Sequence, residues 1–134
     1  MELVCPAGTL SALKEAVIAG ADTVYCGFRN ETNARNFPGL NFSDDEMQEG
    51  IDFAHSNGSK VLIALNTYPT AGNIKLWHNA IDTAAKFSAD GVIMADLGLL
   101  AYAFNNHPNL NRHLSVQATL STYQGINYLT EQLK

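Results

Sequence analysis

Asn33, Arg35, Asn66, Asp96 and Gln117 are the residues in this sequence whose types and positions best suit chemistry. Arg35 carries a permanent charge on a planar fork that matches a carboxylate or phosphate. It lies with Asn33 in Asn30-Glu31-Thr32-Asn33-Ala34-Arg35-Asn36-Phe37, a segment dense in polar groups. Asp96 can act as a general acid or base, or as an electrostatic anchor; it can equally cap the helix that follows it. Asn66 and Gln117 are neutral and suit substrate orientation better than proton transfer. Either could instead close a rim of the fold by hydrogen bonds. The expected roles are therefore catalytic for Asp96 and substrate-binding for Asn33, Arg35, Asn66 and Gln117.

Other chemistries find less support. Cys5 and Cys26 are too few for a disulfide framework or for the four ligands of an iron–sulfur cluster. Each reads more readily as a small buried hydrophobe than as a reactive thiol. The histidines His55, His78, His107 and His113 show no metal-binding spacing, so no metal site is expected. His55 and His78 fall on helical stretches and are expected to be exposed, and His113 just ahead of a strand, at the rim opposite the site. Neither a Gly-x-Gly-x-x-Gly nor a Walker-type loop occurs. Cys5-Pro6-Ala7-Gly8-Thr9 could hold an anion at a helix start, although glycine in such a turn is common for geometry alone. A net charge of −5, without any basic stripe, argues against DNA or other non-specific phosphate binding. No apolar run reaches membrane-spanning length, and no signal peptide opens the chain. The expectation is a cytoplasmic protein with reduced thiols.

Short apolar runs must position these residues. They are Leu3-Val4-Cys5, Thr23-Val24-Tyr25-Cys26, Val61 to Leu65, Val92-Ile93-Met94 and Leu114-Ser115-Val116. Their nearly continuous apolar character suits strands buried on both faces. Amphipathic helices separate them. Thr9 can cap a helix with Leu10, Leu13 and Val17 on one face. Ser43-Asp44-Asp45-Glu46 forms a capping box, followed by a stripe of Met47, Ile51 and Ala54 and a left-handed stop at Gly58. Trp77, Ile81, Ala84 and Ala85 mark a third helix. Leu99, Leu100, Ala103 and Phe104 mark a fourth, and Ile126, Leu129 and Leu133 a fifth. Ala21-Asp22-Thr23-Val24-Tyr25 and Ala89-Asp90-Gly91-Val92-Ile93 form a faint internal repeat. The loop from Phe28 to Phe42 is unusually long, which often signals function; its bland reading is a solvated loop packed down by Phe37, Leu40 and Phe42.

Strict alternation of strand and helix predicts an α/β fold with a parallel sheet and right-handed crossovers. No linker divides the chain, so residues 1–134 read as one domain. Two architectures fit. A five-stranded doubly wound, flavodoxin-like fold would be complete at this length. A TIM-type (β/α) barrel needs about 250 residues, so five units would build only part of it. In either case ligands meet the carboxyl ends of the strands, where the five candidate residues fall.

Glu2-Leu3-Val4-Cys5-Pro6-Ala7-Gly8 and Ala19-Gly20-Ala21-Asp22-Thr23-Val24-Tyr25-Cys26-Gly27 resemble the opening of the collagenase-like peptidase family U32. Within that family, Thr32 to Phe42 most resembles the UbiU-like branch. Asn66-Thr67, Ala95-Asp96-Leu97 and Ser115-Val116-Gln117-Ala118 continue the resemblance along essentially the whole chain. It implies a partial (β/α) barrel as the N-terminal segment of a longer protein, inactive alone. It further implies oxygen-independent hydroxylation of a small aromatic quinone precursor in ubiquinone biosynthesis, a [4Fe-4S] cluster held by cysteines beyond Lys134, and a UbiV-like homologous partner. No cofactor is expected in this chain itself. The peptidase activity in the family name would need an activated nucleophile, and no Ser–His or Cys–His pairing can be placed together here. A third reading is a non-catalytic interaction module or inactive fragment that self-associates through open strand edges.

Overall fold

The computed structural model describes residues 1–133. Five strands, β1 (Val4–Pro6), β2 (Thr23–Cys26), β3 (Lys60–Leu65), β4 (Gly91–Met94) and β5 (Asn111–Leu114), form one sheet. Its order is β1-β2-β3-β4-β5, and every neighbouring pair is parallel. Helices α1 (Leu10–Ile18), α2 (Asp44–Ser56), α3 (Ile74–Lys86) and α4 (Leu97–Asn106) make the crossovers. A 3₁₀ turn at Val116–Ala118 and helix α5 (Tyr123–Gln132) follow β5.

The strand order decides between the two architectures. A doubly wound sheet reverses direction partway, which sends helices to both faces. Here each strand is added on the same side of the last. Right-handed crossovers then lay every helix on one face. The result is a partial, unclosed (β/α) barrel, and the flavodoxin-like alternative is excluded.

The same order corrects the expectation of strands buried on both faces. Val24, Val61, Ile63, Leu65, Val92 and Met94 point toward the helices and are buried. On the opposite face Tyr25, Leu62 and Ile93 are only half-buried, and Val4, Lys60, Asn111 and His113 are exposed. That face would be the interior of a closed barrel. β5 also starts earlier than expected, at Asn111 rather than Leu114. His113 therefore lies within the strand, and Gln117 lies on the 3₁₀ turn beyond it.

The helix signals hold in detail. The Thr9 hydroxyl accepts from the Ala12 amide, and Leu13 and Val17 are buried. The capping box is complete: the Glu46 amide donates to Ser43 Oγ (3.2 Å), and the Ser43 amide to the Glu46 carboxylate (2.8 Å). Met47, Ile51 and Ala54 are buried behind it, and Gly58 takes φ +78° just past the helix end. Trp77, Ile81 and Ala84 of α3, and Leu99, Leu100 and Ala103 of α4, complete the core. Helix α5 differs. None of its residues is buried, and Ile126 is about half exposed. No described helix is long and apolar enough to cross a membrane.

The internal repeat has a structural meaning. The Asp22 amide donates to Leu3 O (2.9 Å), and its carboxylate accepts from the Leu3 amide (2.6 Å). Asp90 repeats this with Val61: its amide donates to Val61 O (2.9 Å), and its carboxylate accepts from the Val61 amide (2.8 Å). Each aspartate thus pins the start of one strand to its neighbour at the amino end of the sheet. His55, exposed as expected, also reaches Asp90 at 2.8 Å, whereas His78, expected to be exposed as well, is half-buried and stacks on Tyr102 with ring centroids 3.7 Å apart. Replacing Asp90 by Ala should leave the Val61 amide unpaired and cost about 1–2 kcal/mol in urea unfolding. His55→Ala, which removes only a partly exposed pair, should cost below about 1 kcal/mol. Equal effects would mean that the His55 contact, rather than the strand pin, carries the stability.

Candidate functional site

A parallel sheet delivers all its strand-to-helix loops to one rim. The β2–α2 loop is the longest of them and folds back over the sheet as an ordered cover. Phe28 and Phe42 form an isolated parallel bridge, and both rings are buried. The Phe42 amide donates to Gly27 O (3.0 Å), and the Arg29 amide to Phe42 O (2.8 Å). Phe37 and Leu40, expected to pack the loop down, are exposed instead. Hydrogen bonds take over that task.

The cover is tied at three levels. Asn30 Oδ1 accepts from the Thr32 amide and hydroxyl, closing a local turn. Asn41, held at φ +70°, donates its amide to Gly8 O (2.7 Å) and its Nδ2 to Arg35 O (2.8 Å). Across to β3, buried Trp77 donates through Nε1 to Thr67 Oγ1 (3.0 Å), and that hydroxyl donates to Glu31 O (2.6 Å). Two of the expected site residues complete the set. Asn33 Oδ1 accepts from the Arg35 amide (2.7 Å), and Asn66 Oδ1 from the Ala34 amide (2.9 Å).

Beneath this cover lies a cavity of about 240 Å³. Pro6, Ala7, Gly8, Tyr25, Cys26, Gly27, Leu40 and Ala64 line it together with Asn33, Arg35, Asn41 and Asn66. Among the described residues no carboxylate lines it. The structure thus brings together three of the five expected residues. Asp96 and Gln117 stand on the same rim but outside this lining. Asp96 caps α4, its Oδ1 accepting from the Leu99 amide (2.9 Å). Gln117 is held through its backbone, whose carbonyl accepts from the Tyr68 hydroxyl (2.8 Å).

The two loop arginines have different fates. Arg29 bonds Leu40 O, Asn41 O and the Glu46 carboxylate (2.8 Å), so its charge is spent on the loop. Hydrogen bonding from the Ser43 amide, assisted by Arg29 and opposed by partial desolvation, holds the Glu46 carboxyl below its usual range. Arg35 is exposed, and among the described residues its guanidinium has no partner. Its backbone is fixed from both sides by Asn33 and Asn41, so the cation is presented at the cavity mouth on a rigid base.

Gly27 was not among the residues singled out from sequence. A Cβ there would meet Asn33 Nδ2 at 1.7 Å, so only glycine admits the asparagine. Its place directly after a strand is a faint signal shared with many turns. Cys26, next to it, is buried against Met47, and burial pushes its thiol up to about 12. The residues present do not fit an iron–sulfur cluster. Only Cys5 and Cys26 are available, Cys26 strongly favours the neutral thiol, and no group of three metal-ligating side chains gathers among the described residues.

The sequence profile of Peptidase family U32 matches residues 8–133. A protein named tRNA hydroxylation protein P, from Helicobacter pylori, is 38% identical over 120 residues, covering 90% of this chain and 28% of its own length. An uncharacterized protease of Methanocaldococcus jannaschii is 37% identical over 121 residues, covering 90% of this chain and 29% of its own. The chain therefore spans less than a third of these curated relatives. Among solved structures, DHDPS from Cyanidioschyzon merolae superposes with a TM-score of 0.61 at 14% identity, over 98% of this chain and 52% of that one. That likeness concerns the fold alone.

Two outcomes follow from the site's packing. Gly27→Ala should expel the Asn33 side chain and loosen the cover, raising amide hydrogen exchange across residues 28–42 while the α3–α4 core stays protected. Unchanged exchange would show that Asn33 can be rehoused. In the native protein at pH 9, iodoacetamide should modify the half-buried Cys5 well before Cys26, whose thiol stays protonated and enclosed. Equal rates would contradict the burial of Cys26. Because its folded pKa is raised, the stability Cys26 contributes is complete below about pH 9, the unfolded value, and declines as pH rises toward 12.

Proposed function

The chain belongs to peptidase family U32, and from that membership we propose that it supplies the substrate-facing N-terminal part of a protein that hydroxylates an aromatic ring without oxygen. The observation that carries this reading is the cavity in which Asn33, Arg35 and Asn66 converge under an ordered loop, in a chain 38% identical to a tRNA hydroxylation protein. In this reading Arg35 clamps an anionic group of the substrate and Asn33 and Asn66 orient it. Gln117 contributes from the neighbouring rim, and Asp96 supplies an acidic anchor there.

The substrate we favour is a small quinone precursor in ubiquinone biosynthesis. The cavity is small, and a net charge of −5 without a basic stripe in the sequence disfavours phosphate-backbone contacts by this segment. A second reading, hydroxylation of an RNA base, draws on the relative's name, with RNA contacts supplied elsewhere in a full-length protein. Peptidase activity draws on the name of the archaeal relative. It lacks support in the site, where Cys26 is buried with a raised pKa and has Met47 beside it rather than a base. The cysteine ligands of a [4Fe-4S] cluster and a UbiV-like partner belong to the same proposal and lie outside this chain.

Arg35→Ala in the full-length protein should reduce anaerobic ubiquinone by at least tenfold while thermal stability changes little, because the guanidinium makes no structural contact. Wild-type quinone together with loss of a hydroxylated tRNA base would favour the RNA reading. Wild-type levels of both would remove Arg35 from the site.

A further inference from the structure

We propose that the cavity beneath the β2–α2 loop is an oxyanion site for a single-ring organic carboxylate. This deepens the reading of Arg35 as an anion clamp and rests on it.

The argument is one of hydrogen-bond polarity. A carboxamide presents one acceptor and one donor group, and a backbone N–H can bond only to the acceptor. Asn33 Oδ1 is taken by the Arg35 amide and Asn66 Oδ1 by the Ala34 amide. Both side chains are thereby locked with their oxygens in the loop and their NH₂ groups left over. Neither Nδ2 has a protein partner among the described residues. Asn33 is only 8% exposed, yet no fully enclosed side-chain nitrogen or oxygen lacks a partner there, so its Nδ2 must open onto free space. The free space it borders is the cavity it lines.

The third donor is the Arg35 guanidinium. Against these donors the wall offers little that would repel an anion. It has no acidic side chain, and Asn41 Oδ1 is its one side-chain amide oxygen without a donor. Two carboxamide NH₂ groups oriented by the loop before any ligand arrives, with an arginine fork carried beside them on a fixed backbone, form an arrangement that stabilises an oxyanion with little reorganisation of the amides. The rest of the lining selects the ligand's body. Pro6, Ala7, Tyr25, Leu40 and Ala64 are largely apolar and suit a flat ring better than a hydrated inorganic ion. A volume of about 240 Å³ lies below the roughly 300–1,000 Å³ of drug-sized sites and suits about one substituted ring.

Calorimetric titration of the full-length protein with benzoate, benzyl alcohol and inorganic phosphate tests this without turnover. Benzoate should bind saturably, and at least about tenfold more tightly than either other probe, the discrimination expected of one charge-assisted hydrogen bond. Arg35→Gln should weaken benzoate about tenfold or more. Asn66→Asp is the sharper variant. Its carboxylate still accepts from the Ala34 amide, so the loop stays in place, while the cavity loses a donor and gains a negative charge. Loss of benzoate binding in Asn66→Asp, with unchanged hydrogen exchange in the loop, supports the proposal. Unchanged binding in that variant, equal affinity for benzyl alcohol, or equal affinity for phosphate each overturns it. Benzoate binding in a protein that hydroxylates no ring would overturn the proposed function and leave this site standing. Quinone loss in Arg35→Ala without any carboxylate binding would do the reverse.

Discussion

Successive parallel strands added always on the same side leave the chain no choice about where its loops go. With right-handed crossovers, the helices fill one face of the sheet, and every strand-to-helix connection emerges at one rim. The site depends on that arrangement. It brings Asn33 from the loop after β2 next to Asn66 at the end of β3, residues 33 positions apart in sequence. It also leaves the opposite face, with Tyr25, Leu62 and Ile93, without a helical layer. A half-covered sheet is what an unclosed barrel must have, and the match to a 52% portion of a larger solved chain agrees with it.

Within that frame the β2–α2 loop is held by polar bonds together with the burial of Phe28 and Phe42 at its ends. Its exposed Phe37 and Leu40 contribute little to anchoring it. The buried Phe28–Phe42 bridge, the Trp77–Thr67–Glu31 relay and the paired asparagines do the anchoring. This has a chemical consequence. Asparagines used as acceptors toward the backbone are left as donors toward the cavity, so the bonds that order the loop also set the polarity of the site. Arg29 and Arg35 divide in the same way, one consumed by loop carbonyls and Glu46, the other left at the mouth.

The amino end of the sheet shows a contrasting use of polar residues. Asp22 and Asp90 sit in the repeated Ala-Asp turns and use their carboxylates on an amide at the start of a neighbouring strand, Leu3 just ahead of β1 and Val61 in β3. Sequence showed the repeat but not its purpose, because a carboxylate in a turn reads the same whether it meets substrate or backbone. Asp96 illustrates the same ambiguity at the carboxyl end. Its cap on α4 was one of two readings open from sequence, and the structure shows its Oδ1 accepting from the Leu99 amide.

Local signals in the sequence were enough to set the helices. The Ser43–Glu46 box, the Thr9 cap, the left-handed Gly58 and the stripes on α1 to α4 depend on contacts a few residues apart, so spacing alone specifies them. Strand–helix alternation likewise fixed the parallel sheet and the rim at which Asn33, Arg35, Asn66, Asp96 and Gln117 fall. Strand order, by contrast, depends on pairings 19 or more residues apart, and only the tertiary structure separated the open barrel from the doubly wound sheet. The same holds for the end of the chain. Leu114 to Val116 looked like a strand by composition, but pairing with β4 begins at Asn111, where Gly91 allows close approach of the neighbouring backbone. The cavity's donor polarity was also invisible in one dimension, because it depends on which amide of a distant segment happens to meet each asparagine oxygen.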